Sequence, residues 1–265
     1  FFSDDGSTAV ECALKMEIQY RIQVGQDERV HFLAFDLSYH GDTLGAASLG
    51  GVGEFFEPFR KFGFPVKHLG GIEELEQLDD ETIKKTAAVI IEPLVQGVNQ
   101  IRPWPKGMLA KLRMWCDQHD VHLILDEVMT GFGRTGKMFA CQHEDVIPDY
   151  LCLAKGLSGG YMPLAATMVR GEIYNAFLGG ADKAFYYGHS YTANQLGCAA
   201  GLASLDVFEQ EHTLDYLPEK IGYLTQQLEQ LADDEALVQA VELGQGQLLR
   251  LLLGPRFRHA ISNLI

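Results

Sequence analysis

Near the middle of this chain, an acid and an amine follow two apolar runs. Val121–Leu125 leads into Asp126, and Tyr150–Ala154 leads into Lys155. Ionisable side chains are seldom fully buried without a partner. Two buried strands that each finish in a charge therefore point to one ligand at a shared sheet edge. The chemistry that needs this pair is that of an aldehyde carried on a pyridine ring. A desolvated lysine loses its proton readily and condenses with an aldehyde to a Schiff base. A carboxylate facing the ring nitrogen keeps it protonated and the ring an electron sink. The small residues Gly156-Leu157-Ser158-Gly159-Gly160 after the lysine leave room for such a ring. Each residue alone also has a plainer reading. Lys155 could snorkel to solvent from a sheet edge. Asp126 could cap a helix or bind Mg²⁺, and with Glu127 it imitates a Walker B strand.

Three other stretches carry groups suited to the same ligand. Asp5-Gly6-Ser7-Thr8 lies between a strand end and an amphipathic helix. Its glycine permits close backbone approach, and its amides and hydroxyls stand where phosphate binds well. The alternative is an ordinary N-cap, since Ser7 with Val10 and Glu11 is one residue out of register for a capping box. Tyr39-His40-Gly41 follows a strand ending at Phe35, and its tyrosine could stack on a flat ring or pack on the surface. Gly188-His189-Ser190 precedes a helix, as a ligand loop or a plain helix start.

Two motifs are set aside. Gly131–Lys137 reads GFGRTGK and satisfies part of a P-loop, but Met138 stands where Ser or Thr must bind Mg²⁺. His119 and His122 are separated by an expected helix-to-strand break and lack a third ligand nearby, so they read as structural and no metal is expected.

Alternating elements must position these groups. Strands are expected at Phe1–Ser3, Val30–Phe35, Thr86–Ile91, Val121–Leu125, Tyr150–Ala154 and Leu164–Val169. Helices are expected over Ser7–Val24, with Val10, Leu14, Ile18 and Ile22 on one face, over Lys106–His119, Asn194–Gln210 and Pro218–Leu231. This order predicts an α/β fold with a mostly parallel sheet between helices. Such sheets bind ligands beyond the carboxyl ends of their strands, where Asp126 and Lys155 fall.

With 265 residues, 47% of them hydrophobic, the chain can bury a sizeable core. Its formal net charge of −15 disfavours a nucleic-acid partner. Five scattered cysteines without a CxxC read as reduced thiols and imply a cytoplasmic location. No apolar run reaches the length of a membrane span. The chain opens without Met in what reads as a strand, as expected of a piece lacking its N-terminal segment. Charge rises over Glu209–Asp215, a candidate boundary, and the tail Leu248–Ile265 is apolar and basic.

Five motifs in order carry a family resemblance: Gly6-Ser7, Tyr39-His40-Gly41, Ile91-Glu92-Pro93, Asp126-Glu127 with GFGRTG, and Lys155. Together they resemble the class III (ω-amino acid) aminotransferases of fold type I, over about Phe1–Phe208. Met138–Thr167 and Gly188–Ala199 are most similar to the branch that serves biotin synthesis. The resemblance implies pyridoxal 5′-phosphate as cofactor. Lys155 would hold it and move the proton, and Asp126 would pair with the ring nitrogen. Gly6, Ser7 and Thr8 would bind the phosphate. Tyr39 would stack on the ring and touch substrate, with Glu92 beside the cofactor. Gly188, His189 and Ser190 would reach the phosphate or substrate of a neighbouring subunit in a homodimer, and Arg134 would recognise a substrate carboxylate. The implied reaction moves an amino group from S-adenosylmethionine or lysine to 8-amino-7-oxononanoate. The resemblance also implies a large domain over 1–208, truncated at its N-terminus, and a truncated or aberrant start of a small domain over 209–265. Another class III substrate, or an inactive fragment or assembly partner, are the alternatives.

Overall fold

The structure, a computed structural model, describes residues 1–98 and 101–233. The tail Leu248–Ile265 and most of the expected small domain lie outside the described residues. In chain order the elements begin with β1 (Phe2–Ser3), α1 (Gly6–Gln23), β2 (His31–Phe35), α2 (Leu44–Leu49), α3 (Gly53–Phe56) and β3 (Val66–Leu69). They continue with α4 (Asp80–Lys85), β4 (Thr86–Ile91), the short pair β5 (Val95–Gln96) and β6 (Arg102–Pro103), and α5 (Met108–His119). β7 (His122–Asp126), β8 (Tyr150–Leu153), β9 (Ala165–Val169), α6 (Gly171–Ala176), α7 (Gln195–Gln210) and α8 (Thr213–Asp233) complete them.

Seven strands form one sheet in the order β1-β9-β8-β7-β4-β2-β3. The five from β8 to β3 are parallel, while β9 runs antiparallel to both β8 and β1. Both faces are covered, so the central strands are apolar throughout rather than alternating. On one face Ala9, Val10, Ala13 and Leu14 of α1 meet Phe32, Ala34, Ile90 and Ile124. On the other, Leu109, Leu112 and Cys116 of α5 meet Leu33, Phe35, Val89 and Leu123. All six residues of β4 are buried.

The structure corrects the sequence reading at several points. α1 begins at Gly6 with Asp5 as its N-cap, closing a capping box with Thr8 rather than starting at Ser7. Its inner face runs through Val10, Leu14, Glu17 and Arg21, while Ile18 and Ile22 are exposed. An apolar template misses that face because two of its members are charged and pair with each other. β7 runs one residue further than expected, so Asp126 is its last residue. β3 was not expected; its VKHL pairs with β2 at the sheet edge, where polar residues are tolerated. α8 starts at Thr213, which places Pro218 inside the helix rather than at its start. The described residues contain no helix long and apolar enough to cross a membrane.

Candidate active site

Because β9 is reversed, β1, β2, β4, β7 and β8 all point their carboxyl ends to one edge of the sheet. The segments leaving those ends line a cavity of about 430 Å³. Asp5, Gly6 and Ser7 arrive from β1, Tyr39 and His40 from β2, Glu92 from β4, Asp126 from β7 and Lys155 from β8. Residues spread over 150 positions are thus gathered by topology alone.

Asp126 is 5% exposed, and both its oxygens have donors. Oδ2 lies 2.8 Å from His40 Nδ1, and Oδ1 accepts the Val128 N–H at 3.1 Å. A carboxylate oxygen is the natural acceptor of this contact, with His40 Nδ1 as its donor. His40 is buried, and its Nε2 has no partner among the described residues. Lys155 is exposed and lines the same cavity. Its φ of +43° is in the left-handed region, which costs a non-glycine residue about 1–2 kcal/mol. That conformation turns the chain sharply at the end of β8.

Glu92 ties the two side walls together. Its Oε1 accepts the Tyr39 N–H at 3.0 Å, and its Oε2 accepts the Gly97 N–H at 2.8 Å. Burial pushes its carboxyl above the usual range, opposed by the nearby His40 and by the two amides. Tyr39 donates its hydroxyl to Asp42 Oδ2 at 2.9 Å. Burial and then that bond push the phenol up to about 12.

The α1 N-terminus forms the remaining wall. Helix geometry leaves the first amides without intrahelical partners. Asp5 takes the Thr8 amide at 3.0 Å, while the Gly6 and Ser7 amides have no partner among the described residues. Loops crowd this corner. A Cβ on Gly6 would lie 2.6 Å from Val128 Cγ1. One on Gly41, whose φ is +118°, would run into the Ser7 side chain. The Asp42 amide donates to Ser7 Oγ at 3.1 Å, fixing the Tyr39–Asp42 turn on the helix end.

Gly6, Ser7, Tyr39, Glu92, Asp126 and Lys155 therefore line one cavity. Thr8 does not line it, because its hydroxyl bonds the Asp5 amide and carbonyl at 3.1 and 2.9 Å. Arg134 is exposed on a loop whose glycines pack under Leu214, Leu217 and Ile221, away from the cavity. Gly188, His189 and Ser190 are exposed, and the first two border a separate shallow concavity with Phe185 and Tyr187. His189 Nε2 lies 3.1 Å from Asp4 Oδ2, next to the β1 end. Two contributions went unassigned in the sequence. His40 stood inside a quoted motif without a role. Glu127 is fully buried and accepts the Ala140 and Cys141 amides at 2.6 and 2.8 Å, fixing the loop after β7. Its position just past an apolar run was the only signal. Burial raises its carboxyl above the usual range.

The donor set suits a flat pyridine aldehyde with an anionic arm. It offers a lysine amine, a carboxylate already fixed by two donors, and free amides at a helix start.

Comparison with known proteins agrees with that chemistry. The profile of the aminotransferase class-III family matches residues 1–251. Adenosylmethionine-8-amino-7-oxononanoate aminotransferase of Nitratidesulfovibrio vulgaris is 46% identical over 259 residues, covering 88% of this chain and 47% of the relative. The crystal structure of the Methanocaldococcus jannaschii protein of that name superposes with a TM-score of 0.84 at 42% identity, covering 89% of this chain and 56% of that one. An amine transaminase from an uncultivated Pseudomonas species, solved in its PLP-bound internal aldimine form, superposes at 0.81 with 35% identity, covering 89% and 58%. The chain spans about half the length of the curated relatives it matches.

Proposed function

Since this chain belongs to the class III aminotransferases and has the fold type I architecture, an α/β large domain with a mostly parallel sheet between helices, we propose that its cavity binds pyridoxal 5′-phosphate for amino-group transfer. The observation that carries this reading is one cavity holding Lys155, the doubly fixed Asp126 and the free amides of Gly6 and Ser7.

The cofactor, when bound, supplies an aldehyde that joins amines and a ring that accepts an electron pair. Lys155 is the amine that would hold it and the base that would carry a proton at the substrate carbon. Asp126, held by His40 and Val128, would pair with the ring nitrogen. Gly6 and Ser7 hold the phosphate with helix-terminal amides. Tyr39 covers the ring, and Glu92 fixes that wall. Gly188, His189 and Ser190 act in the site of a second subunit, so the working form is a homodimer. Arg134, although not among the residues lining the cavity, is kept as the candidate to meet a substrate carboxylate. Residues 1–208 make the large domain, and 209–265 begin a small one. The free cysteines, four of them buried, accord with a cytoplasmic location.

The relatives' names support a specific reaction: an amino group passes from S-adenosylmethionine, or lysine, to 8-amino-7-oxononanoate, giving 7,8-diaminononanoate for biotin. The likeness to an amine transaminase at 35% identity supports a second reading, another ω-amino substrate. Borohydride reduction with added cofactor, followed by peptide mapping, is expected to label Lys155. Absence of the label, or its presence on other lysines alone, would sink the reading. Product assays with S-adenosylmethionine, lysine and simple ω-amines then separate the substrates.

A further inference from the structure

We propose that Phe132 and Ser204 are positioning residues for Lys155, clamping the Gly156 backbone between them so that the amine is held at the cavity; this rests on the cofactor reading above. The need for a clamp is visible in the turn itself. Lys155 has a left-handed backbone, with φ of +43°, and opens a tight turn that the Leu157 N–H closes on the Ala154 carbonyl at 3.0 Å. A non-glycine residue keeps such a conformation only where its surroundings impose it. Lys155 is exposed, so packing around its own side chain does not impose it. The constraint has to act on the neighbouring residue, Gly156.

Gly156 is gripped from two elements. From the loop after β7, Phe132 lies so close that a Cβ on Gly156 would stand 2.7 Å from Phe132 Cβ and 3.1 Å from its Cγ and Cδ2. From α7, Ser204 Oγ donates to the Gly156 carbonyl at 3.3 Å. Phe132 is itself fixed. Its φ is +58°, its N–H donates to the Met138 carbonyl at 2.6 Å, and its ring meets Phe139 edge to face at 5.7 Å. The buried Glu127 closes the base of that loop on the Ala140 and Cys141 amides. The next residue, Gly133, packs under α8, where a Cβ would lie 3.1 Å from Leu217 Cδ1. A braced loop and a helix thus hold one glycine from two sides, one residue beyond the amine. Neither Phe132 nor Ser204 lines the cavity, so their route to the cofactor is the turn that carries Lys155.

The test measures pyridoxal 5′-phosphate binding by wild type, Phe132→Leu, Ser204→Ala and Ser204→Thr, each made also in a Lys155→Ala background. Leucine keeps apolar bulk without the ring. Alanine removes the hydroxyl that threonine keeps. Two quantities are read: cofactor affinity, and the rate at which the visible absorption of the Lys155-linked cofactor appears after mixing. Thermal unfolding without cofactor is followed beside them. With Lys155 present, Phe132→Leu is expected to weaken affinity and slow linkage roughly tenfold, because a small displacement of a reacting group is costly. Ser204→Ala is expected to do the same by about threefold, and Ser204→Thr to restore wild-type behaviour. Without Lys155, each variant is expected to bind like its Lys155→Ala parent. Equal losses in both backgrounds overturn the proposal, since a residue acting through Lys155 has no effect once that side chain is gone. Wild-type affinity and rate in Phe132→Leu and Ser204→Ala overturn it too. If leucine prevents folding, the two Ser204 variants decide by the same comparison. A wild type that neither binds cofactor nor is labelled at Lys155 overturns the cofactor reading itself, and is told apart by that label.

Discussion

β7 carries a histidine–carboxylate pair at each end, and the two are built differently. At its start, His122 Nδ1 lies 2.6 Å from Glu17 Oε2, and Glu17 Oε1 lies 2.7 Å from Arg21 Nε. The guanidinium donates onward to the Ala87 and Asp120 carbonyls, both at 3.0 Å. This network is closed, with each charge answered by protein. At the strand's other end, Asp126 meets His40 at 2.8 Å, but the pair faces a cavity and His40 Nε2 has no partner among the described residues. Buried charges that are paired all round hold one packing in place, and losing one partner strands the other. Buried charges that face space are arranged for something that arrives later. The contrast, more than the presence of charge, separates scaffold from site within five residues of one strand.

The largest expected effect is at Lys155. Lys155→Ala is predicted to abolish covalent retention of pyridoxal 5′-phosphate while leaving thermal unfolding without cofactor unchanged, since the side chain is exposed. Mass spectrometry after reduction reads the first and a melting curve the second. Next, Glu17→Ala strands Arg21, which is 1% exposed, and is predicted to cost about 3–5 kcal/mol of folding stability. Asp126→Ala is predicted to cost about 1–3 kcal/mol but to lower cofactor affinity strongly, which Glu17→Ala should not beyond its unfolding. Denaturant titration beside cofactor titration separates the poles. Equal patterns for the two variants would erase the distinction.

Two further tests sharpen it. Gly41 and Gly25 both have positive φ, +118° and +77°, but a Cβ on Gly41 meets Ser7 whereas one on Gly25 meets nothing within 4 Å. Gly41→Ala is predicted to cost about 1–3 kcal/mol and to loosen the cofactor. Gly25→Ala, at the far end of α1, should cost about 1 kcal/mol and leave binding alone. Glu92 gives a pH signature. Its carboxyl is raised by burial, so the native state holds the proton more tightly than the unfolded chain. That contribution is present at and below the ordinary glutamate range and is lost as pH rises through the raised value. The stability lead of wild type over Glu92→Gln should therefore shrink from mildly acidic to mildly alkaline pH. A lead that grows would reverse the assignment.

What the sequence disclosed follows from burial on both faces. β4, β7 and β8 are apolar along their middles because both faces of the sheet are covered, so the charges that follow, Asp126 and Lys155, stood out in the sequence. β3 could not, since its Lys67 and His68 break the pattern at an edge where one side is free. The inner face of α1 was misplaced because Glu17 and Arg21 stand where apolar residues were sought. His40 gave no hint of its partner, which lies 86 residues away and is reached only through sheet order. The loop that carries Arg134 is glycine-rich where Gly133 and Gly136 pack against α7 and α8, a reason its sequence alone did not give.

The smallest effect separates two neighbouring hydroxyls. Thr8 and Ser7 both looked suited to phosphate, but the Thr8 hydroxyl and amide are occupied by Asp5. Thr8→Ala removes one half of a capping box, a loss of about 0.5–1 kcal/mol. It leaves the Gly6 and Ser7 amides in place, so cofactor affinity should hold. The Ser7 hydroxyl instead accepts the Asp42 amide at 3.1 Å and braces the turn that carries Tyr39 and His40. Ser7→Ala should therefore weaken binding more than it lowers the melting temperature. Thermal unfolding and cofactor titration on both variants give opposite rankings if capping and cradle are divided this way. An affinity loss at Thr8 as large as that at Ser7 would return Thr8 to the phosphate site, and would place the first turn of α1 wholly on the open side of the sheet.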